Sequence, residues 1–234
     1  MDDNSSFDVV IPAAGVGSRL GASIPKQYLK LGSKTILELT LQIFLKALFI
    51  KKVIVVISKE DSFFEKLGLS SPKLQIVIGG KERADSVKAG LKHVSSAWVL
   101  VHDAARPLLT EDDLINLIEK GTKTDCGAIL AAPVADTLKK ADDNLNISTT
   151  VSRRSMYRAL TPQLFKTELL IKALSLSEGS KEITDEASAV EFLGYKPLLV
   201  PGRSDNLKIT DKTDLQMATA LFWFLQQSNS IGNN

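Results

Sequence analysis

The sequence is poor in the residues that several common chemistries require. Cys126 is its only cysteine among 234 residues, which excludes an internal disulfide and fits a reducing compartment, so a cytoplasmic protein is expected. Two histidines and one cysteine leave too few ligands for a zinc site. Excess charge is missing too. The formal net charge is +2 and no run of lysine or arginine exceeds two residues, so a nucleic-acid partner is not expected and any anion site must be local. No stretch reaches the roughly 18 apolar residues of a spanning helix. The opening "MDDNSS" has neither the basic nor the apolar region of a secretory leader, and no membrane partner is expected.

What is present has the balance of a globular protein, with 44% hydrophobic and 24% charged residues, enough for one large domain or two small ones and for a sizeable core. Short β-branched runs recur: "FDVVI" (7–11), "KVIVVI" (52–57), "LQIVI" (74–78), "AWVLVH" (97–102), "CGAILAAPV" (126–134) and "KPLLVP" (196–201). Their continuous hydrophobicity predicts strands buried on both faces. Between them, "TILELTLQIFLKAL" (35–48), "DSVKAGLKHV" (85–94), "EDDLINLIEKG" (111–121) and "TDLQMATALFWFLQQ" (213–227) carry apolar residues at helical spacing. Thr110 with Asp113 reads as a capping pair, and Gly121 as the end of that helix. Alternating strand and helix predict an α/β fold: a doubly wound, mostly parallel sheet with helices on both faces. Residues 135–165 break the alternation. They are polar around "ADDNLN" and read as a projecting hairpin, with the arm itself at about 135–158. A two-stranded arm is marginal alone in water, so it is expected to pack on a second copy of the chain.

The first strand runs into "PAAGVGSRLGASIPKQ" (12–27). A Walker loop would need Gly-Lys-Ser/Thr, but Leu20 stands five positions after Gly15 and no such pair follows Gly21. A dinucleotide fingerprint would need glycine at position 20 beside Gly15 and Gly17. What remains is a glycine loop followed by Arg19 and Lys26. Backbone N–H groups at glycines can approach phosphate oxygens, and the cations can neutralise charge at a phosphoryl group under attack. That suits a nucleoside triphosphate that is cleaved; a glycine-rich turn with two solvated cations is the alternative on these residues alone.

Further motifs follow in order: "GGKERADSVKAGL" (79–91), "VHDAARP" (101–107), "PVADTLK" (133–139), "ALTPQLF" (159–165), "TDEASAVEFLG" (184–194) and "GRSDNLKIT" (202–210). Together with the first loop they resemble the cytidylyltransferases of the non-mevalonate isoprenoid pathway, those acting on 2-C-methyl-D-erythritol 4-phosphate, over essentially the whole chain. The resemblance implies a single nucleotidyltransferase domain (1–234) of Rossmann-like type, and attack of a substrate phosphate oxygen on the α-phosphorus of CTP, with magnesium and release of pyrophosphate. It assigns catalytic roles to Arg19, Lys26, Asp103 and Lys208. It assigns CTP to Ala13, Ala14, Gly15, Gly17, Gly80 and Ser86, and the acceptor to Arg106, Thr137, Arg153, Thr161, Thr184 and Thr210. Asp103 is the candidate metal ligand. His102 reads as a strand-end residue, since the reaction needs no imidazole, and Thr184 and Thr210 read also as helix caps. The arm is implied to cross to the partner of a homodimer and carry Thr137 and Arg153 into its site. Tyr157 stands where many members carry tryptophan, and the tandem Arg153 and Arg154 leave the register of the phosphate-binding arginine between them, with the count back from "ALTPQ" favouring Arg153.

Two other readings compete. A ribitol-5-phosphate cytidylyltransferase shares the first loop, "DAARP" and "KIT", and differs by an acceptor preference that turns on few side chains; methylerythritol phosphate is favoured. A silent nucleotide-binding scaffold would be expected to lose the reactive cations, and Arg19, Lys26 and Lys208 are all present.

Overall fold

The computed structural model describes residues 6–15, 24–180 and 183–231. In chain order the elements begin with β1 (Phe7–Pro12), the short strands β2 (Lys30–Leu31) and β3 (Lys34–Thr35), α1 (Ile36–Lys46), β4 (Ile50–Ile57), β5 (Leu74–Ile78), α2 (Arg83–Leu91) and β6 (Trp98–Val101). There follow α3 (Glu111–Gly121), β7 (Gly127–Pro133), β8 (Leu138–Ala141), β9 (Ile147–Val151), β10 (Tyr157–Lys166), α4 (Thr167–Leu176), α5 (Glu186–Phe192), β11 (Leu198–Pro201) and α6 (Lys212–Ile231). The expected helices therefore exist. Thr110 caps α3 by accepting from the Asp113 N–H, and α1 opens on a reciprocal capping box between Thr35 and Glu38, which satisfies two of the donors a helix start leaves over.

Seven strands form one sheet in the order β11-β7-β10-β6-β1-β4-β5. Among the described strands of this sheet only β10 runs against its neighbours. The chain builds outward from β1 to β4 and β5, then returns to lay β6 on the other side of β1. That reversal leaves a crevice beyond the carboxyl ends of β1 and β6, the place where open α/β sheets bind ligands. Leu37, Leu41 and Phe44 of α1, with Leu114 and Leu117 of α3, pack in the core on one face of the sheet. Val87 and Leu91 of α2, Leu170 of α4 and Val190 of α5 pack in the core on the other.

One expectation needs correction. Residues 135–165, expected to project as a hairpin, end instead in β10, which makes up their last third and is inserted between β6 and β7 with Leu160–Phe165 buried. This stretch includes the polar Thr161 and Gln163. They are tolerated inside because their polar groups are paired: Gln163 donates to Asp185 Oδ2 and accepts from the Ala187 N–H, and a buried amide so satisfied costs little. The hairpin proper is β8 paired with β9 alone, and its tip is exposed, Leu145 by 87% and Ile147 by 65%.

Close packing of α2 on the sheet depends on Gly90. A Cβ there would lie 2.5 Å from Val10 Cγ1 and 3.0 Å from Val56 Cγ2, both in fully buried side chains of β1 and β4. Gly90→Ala is expected to lower stability by about 1–3 kcal/mol through overpacking, more than the ~1 kcal/mol that alanine gains in helix propensity. Thermal denaturation checks this; an unchanged or raised midpoint would show that α2 can step away from the sheet without loss.

Candidate active site

The crevice at the ends of β1 and β6 is lined by segments far apart in the chain. Ala13, Ala14 and Gly15 continue β1; Lys26 and Gln27 lie on a single 3-10 turn (Lys26–Tyr28). Gly80, Arg83 and Ser86 come from the start of α2, Asp103 from the end of β6, and Lys208 from the segment before α6. Gly80 is required for α2 to start where it does, since a Cβ would fall 2.4 Å from Asp85 Cβ. Ser86 is not a surface serine: it is 2% exposed and its hydroxyl donates to Glu82 O.

At the centre of the crevice the Asp103 carboxylate meets three cations. Its Oδ1 lies 3.3 Å from Arg83 Nε, and its Oδ2 lies 3.3 Å from Arg106 Nε and 3.0 Å from Lys208 Nζ. Burial opposes its ionisation, but Arg83, Lys208 and Arg106 outweigh that and hold the carboxyl well below the usual carboxylate range. Arg83 is bracketed in turn: Nη1 and Nη2 donate to Glu186 at 2.7 and 2.9 Å, while Nε faces Asp103. Glu186, the first residue of α5, is 1% exposed.

Behind Asp103 lies a buried scaffold. The Asp103 N–H donates to Thr161 Oγ1 at 3.1 Å, and that hydroxyl lies 3.0 Å from His102 Nδ1. His102 Nε2 faces Arg106 O at 3.1 Å; a carbonyl can only accept, so Nε2 carries the proton and the Thr161 hydroxyl donates to Nδ1. Burial dominates at this imidazole and lowers its pKa to about 4, so it is neutral at physiological pH. Asn206 completes the scaffold: its side chain donates to Thr161 O, and its carbonyl accepts from Arg106 Nη1 at 2.7 Å. Lys26 Nζ donates to Ile209 O, and the Ile209 N–H to Ala105 O, which ties the first loop's lysine to the "KIT" segment and to the loop after β6.

Most sequence-derived candidates thus converge. Ala13, Ala14, Gly15, Lys26, Gly80, Ser86, Asp103 and Lys208 line one crevice, and Arg106 and Thr161 support Asp103 from behind it. Gly17 and Arg19 lie outside the described residues. Thr137 and Arg153 are exposed at the base of the hairpin, where Arg153 Nη1 donates to Ala135 O, and neither is among the described lining of the crevice. Thr184 borders a neighbouring hollow with Arg83 and Glu186. Neither Thr184 nor Thr210 is a cap: Asp185 caps α5 by accepting from the Ser188 N–H, and Asp211 accepts from the Asp214 N–H at the start of α6. An aspartate one position closer to the helix takes the role in each case, while the Thr210 hydroxyl bonds to Asp214.

Sequence reasoning missed Arg83, Glu186, Gln27 and Asn206 as individuals. All stand inside the quoted motifs, but Arg83 and Glu186 are 103 residues apart and nothing in a single sequence pairs them. Among the described residues no group of three or more His, Cys, Asp or Glu converges as a metal cage. Glu186, 1% exposed, is engaged by Arg83, and the carboxylate residues lining the crevice are Glu82, whose N–H donates to Asp85 Oδ2 at the start of α2, and Asp103. Magnesium is ordinarily held by one or two carboxylates together with substrate phosphates, and Asp103 with Glu82 at the edge of a cation-lined crevice fits that pattern.

Removing the charge from Glu186 leaves the Arg83 guanidinium half-paired. Glu186→Ala is expected to cost about 2–3 kcal/mol, less than a fully enclosed pair because Arg83 remains a third exposed. The double variant Glu186→Leu/Arg83→Met should recover only part of that loss in denaturant unfolding, because it also takes one of three cations from Asp103; no recovery at all would mean that the pair itself is not what stabilises this corner.

Comparison with known proteins agrees with this geometry. Residues 7–223 match the family described as "IspD: 2-C-methyl-D-erythritol 4-phosphate cytidylyltransferase". The protein of that name from Actinobacillus pleuropneumoniae serotype 7 is 53% identical, over 89% of this chain and 92% of its own length. That from Tolumonas auensis is 49% identical over 95% and 97%. A crystal structure of a 4-diphosphocytidyl-2C-methyl-D-erythritol synthase superposes with a TM-score of 0.80 at 40% identity, covering 93% of this chain and 98% of that one. The 2-C-methyl-D-erythritol 4-phosphate cytidylyltransferase of Francisella tularensis gives 0.79 at 35% identity over 92% and 99%. With a matching family model over most of its length and relatives at about half identity covering nearly all of it, the chain belongs to the 2-C-methyl-D-erythritol 4-phosphate cytidylyltransferase family.

Proposed function

We propose that this chain transfers the cytidylyl group of CTP to 2-C-methyl-D-erythritol 4-phosphate, giving 4-diphosphocytidyl-2-C-methyl-D-erythritol and pyrophosphate for isoprenoid precursor synthesis. The observation that carries the reading is the gathering of Lys26, Arg83, Arg106 and Lys208 around the Asp103 crevice. Two polyanions must meet there, and fixed cations are what bring a phosphate nucleophile against a triphosphate. A phosphate oxygen of the acceptor forms the new bond to the α-phosphorus of CTP, and the bond from that phosphorus to the departing pyrophosphate breaks. The nucleophile is already an anion near neutral pH, so no general base is needed; positioning and charge neutralisation supply the rate.

In this reading Arg19 and Lys26 stabilise the crowded α-phosphate and the leaving pyrophosphate. Backbone groups of Ala13, Ala14, Gly15, Gly17 and Gly80, with the Ser86 hydroxyl, hold the nucleotide and select cytosine. Magnesium would be held by Asp103 and phosphate oxygens, where it supplies further charge neutralisation. Lys208, Arg106, Thr161, Thr184 and Thr210 are assigned to the acceptor, and Thr137 and Arg153 to the same role from the hairpin of the second subunit of a homodimer. The exposed apolar Leu145, Ile147 and Met156 on and beside that hairpin support the dimer, because so thin a two-stranded unit gains its stability by packing. A cytoplasmic location goes with the reading.

Three measurements test it. Incubation of the protein with labelled CTP and a panel of polyol phosphates should yield the methylerythritol product and pyrophosphate; preferential turnover of ribitol 5-phosphate would sink the acceptor assignment. Lys26→Ala should lower kcat by about 10²–10³-fold with little change in melting temperature, and full activity in that variant would remove Lys26 from the mechanism. Lys26→Ala and Arg153→Ala subunits, each inactive alone, should regain activity when mixed and allowed to exchange. Failure of the mixed dimers to regain activity would place Arg153 in its own subunit's site or outside any site.

A further inference from the structure

Lys26, Gln27 and Tyr28 form one 3-10 turn, in which successive side chains are rotated by about 120°, so three neighbours must face three directions. Lys26 donates to Ile209 O. Tyr28, 5% exposed, donates to Asp61 Oδ2 at 2.7 Å and stacks on Phe63 with ring centroids 5.3 Å apart. Gln27, between them and 3% exposed, faces the first loop, and its Nε2 donates to Ala13 O at 2.7 Å and to Gly15 O at 3.2 Å. Two carbonyl oxygens at those distances can only be met by a donor, so the orientation of the amide is fixed by chemistry, and both of its hydrogens are used. Gln27 therefore has no amide donor left for a ligand, and its influence on a ligand's acceptor atoms must pass through the backbone it grips.

That influence has a direction. The Ala13–Ala14 peptide is trans, and in a planar trans peptide the C=O and the N–H point opposite ways. With Ala13 O held against Gln27, the Ala14 N–H points away from it. Among the described residues nothing accepts from that N–H, Ala14 borders the crevice, and a Cβ built on the neighbouring Gly15 would meet no atom within 4 Å, so there is room beside it. We propose that Gln27 is a positioning residue for the nucleotide: by holding the carbonyls of Ala13 and Gly15 inward it presents the Ala14 N–H to an acceptor atom of the cytidine base. This rests on the cytidylyl-transfer reading and adds to it the residue that sets the donor's direction. The turn that supplies a reacting cation through Lys26 thereby also orients the donor edge of the nucleotide site.

The test is the Gln27→Met variant, which keeps the length of the side chain and removes both donors, measured beside the unaltered protein by calorimetric titration with CTP and by steady-state kinetics. The proposal expects the Kd and KM for CTP to rise about tenfold, as for loss of one well-made hydrogen bond, while the KM for the acceptor changes less than twofold and kcat falls by less than the KM for CTP rises. If Gln27→Met does not fold, Gln27→Asn, with an amide one methylene shorter that can reach only one of the two carbonyls, carries the same expectation at smaller size. Unchanged CTP binding would overturn the proposal. So would parallel rises in both KM values, which would make Gln27 a general packing residue. Absence of cytidylyl transfer by the unaltered protein would instead overturn the reading on which the proposal rests.

Discussion

A single buried carboxylate organises this molecule. Asp103 stands where β6 ends, and Arg83, Arg106 and Lys208 reach it from the start of α2, the loop beyond β6 and the segment before α6. An aspartate so deeply placed is expensive unless it is paired, and each cation would be costly to crowd against the others without it. The four groups are stable only together. Their mutual dependence is what pins three otherwise independent stretches of chain to one point at the topological switch of the sheet.

The same arrangement explains why the site is cationic without the protein being so. Among the described residues Lys26, Arg83, Arg106 and Lys208 gather around Asp103 and Glu186, while the chain as a whole carries a net charge of only +2. The excess is concentrated where low-dielectric walls make it count. Behind it, His102, Thr161 and Asn206 form a neutral, hydrogen-bonded wall. Burial keeps the imidazole unprotonated, with a pKa of about 4, so it holds the Arg106 carbonyl and the Thr161 hydroxyl in place without adding a charge of its own. It is a support, in keeping with a reaction that needs no proton shuttle.

Glu186 shows how the starts of α5 and α2 are joined. It opens α5, beside Thr184, and its carboxylate holds the guanidinium of Arg83, which opens α2 beside Ser86. The two helices begin at the same corner of the crevice and share one ion pair. A planar guanidinium can pair bidentately with one carboxylate while its Nε meets a second, a geometry that the point charge of a lysine ammonium does not match; Arg83 thus transmits the placement of α5 to Asp103.

How much of this was legible beforehand depends on the range of the interaction. The strands were readable because β-branched runs such as "KVIVVI" are needed by a strand buried on both faces, and α3 because its cap and its apolar spacing lie within eleven residues. The glycine loop and its lysine were readable as local chemistry. β10 was hidden, because Thr161 and Gln163 look like surface until one sees the partners that satisfy them inside the sheet. The Arg83–Glu186 pair was hidden for a simpler reason, since two charged residues 103 positions apart announce nothing about each other. The sequence by itself determined the class of fold, the glycine-rich loop that follows the first strand and the set of charged side chains available to the site. Only the tertiary structure decided which cations share Asp103, which carbonyls Gln27 holds and which polar residues the interior could accept, because each of those is a distance between segments that local propensity does not encode.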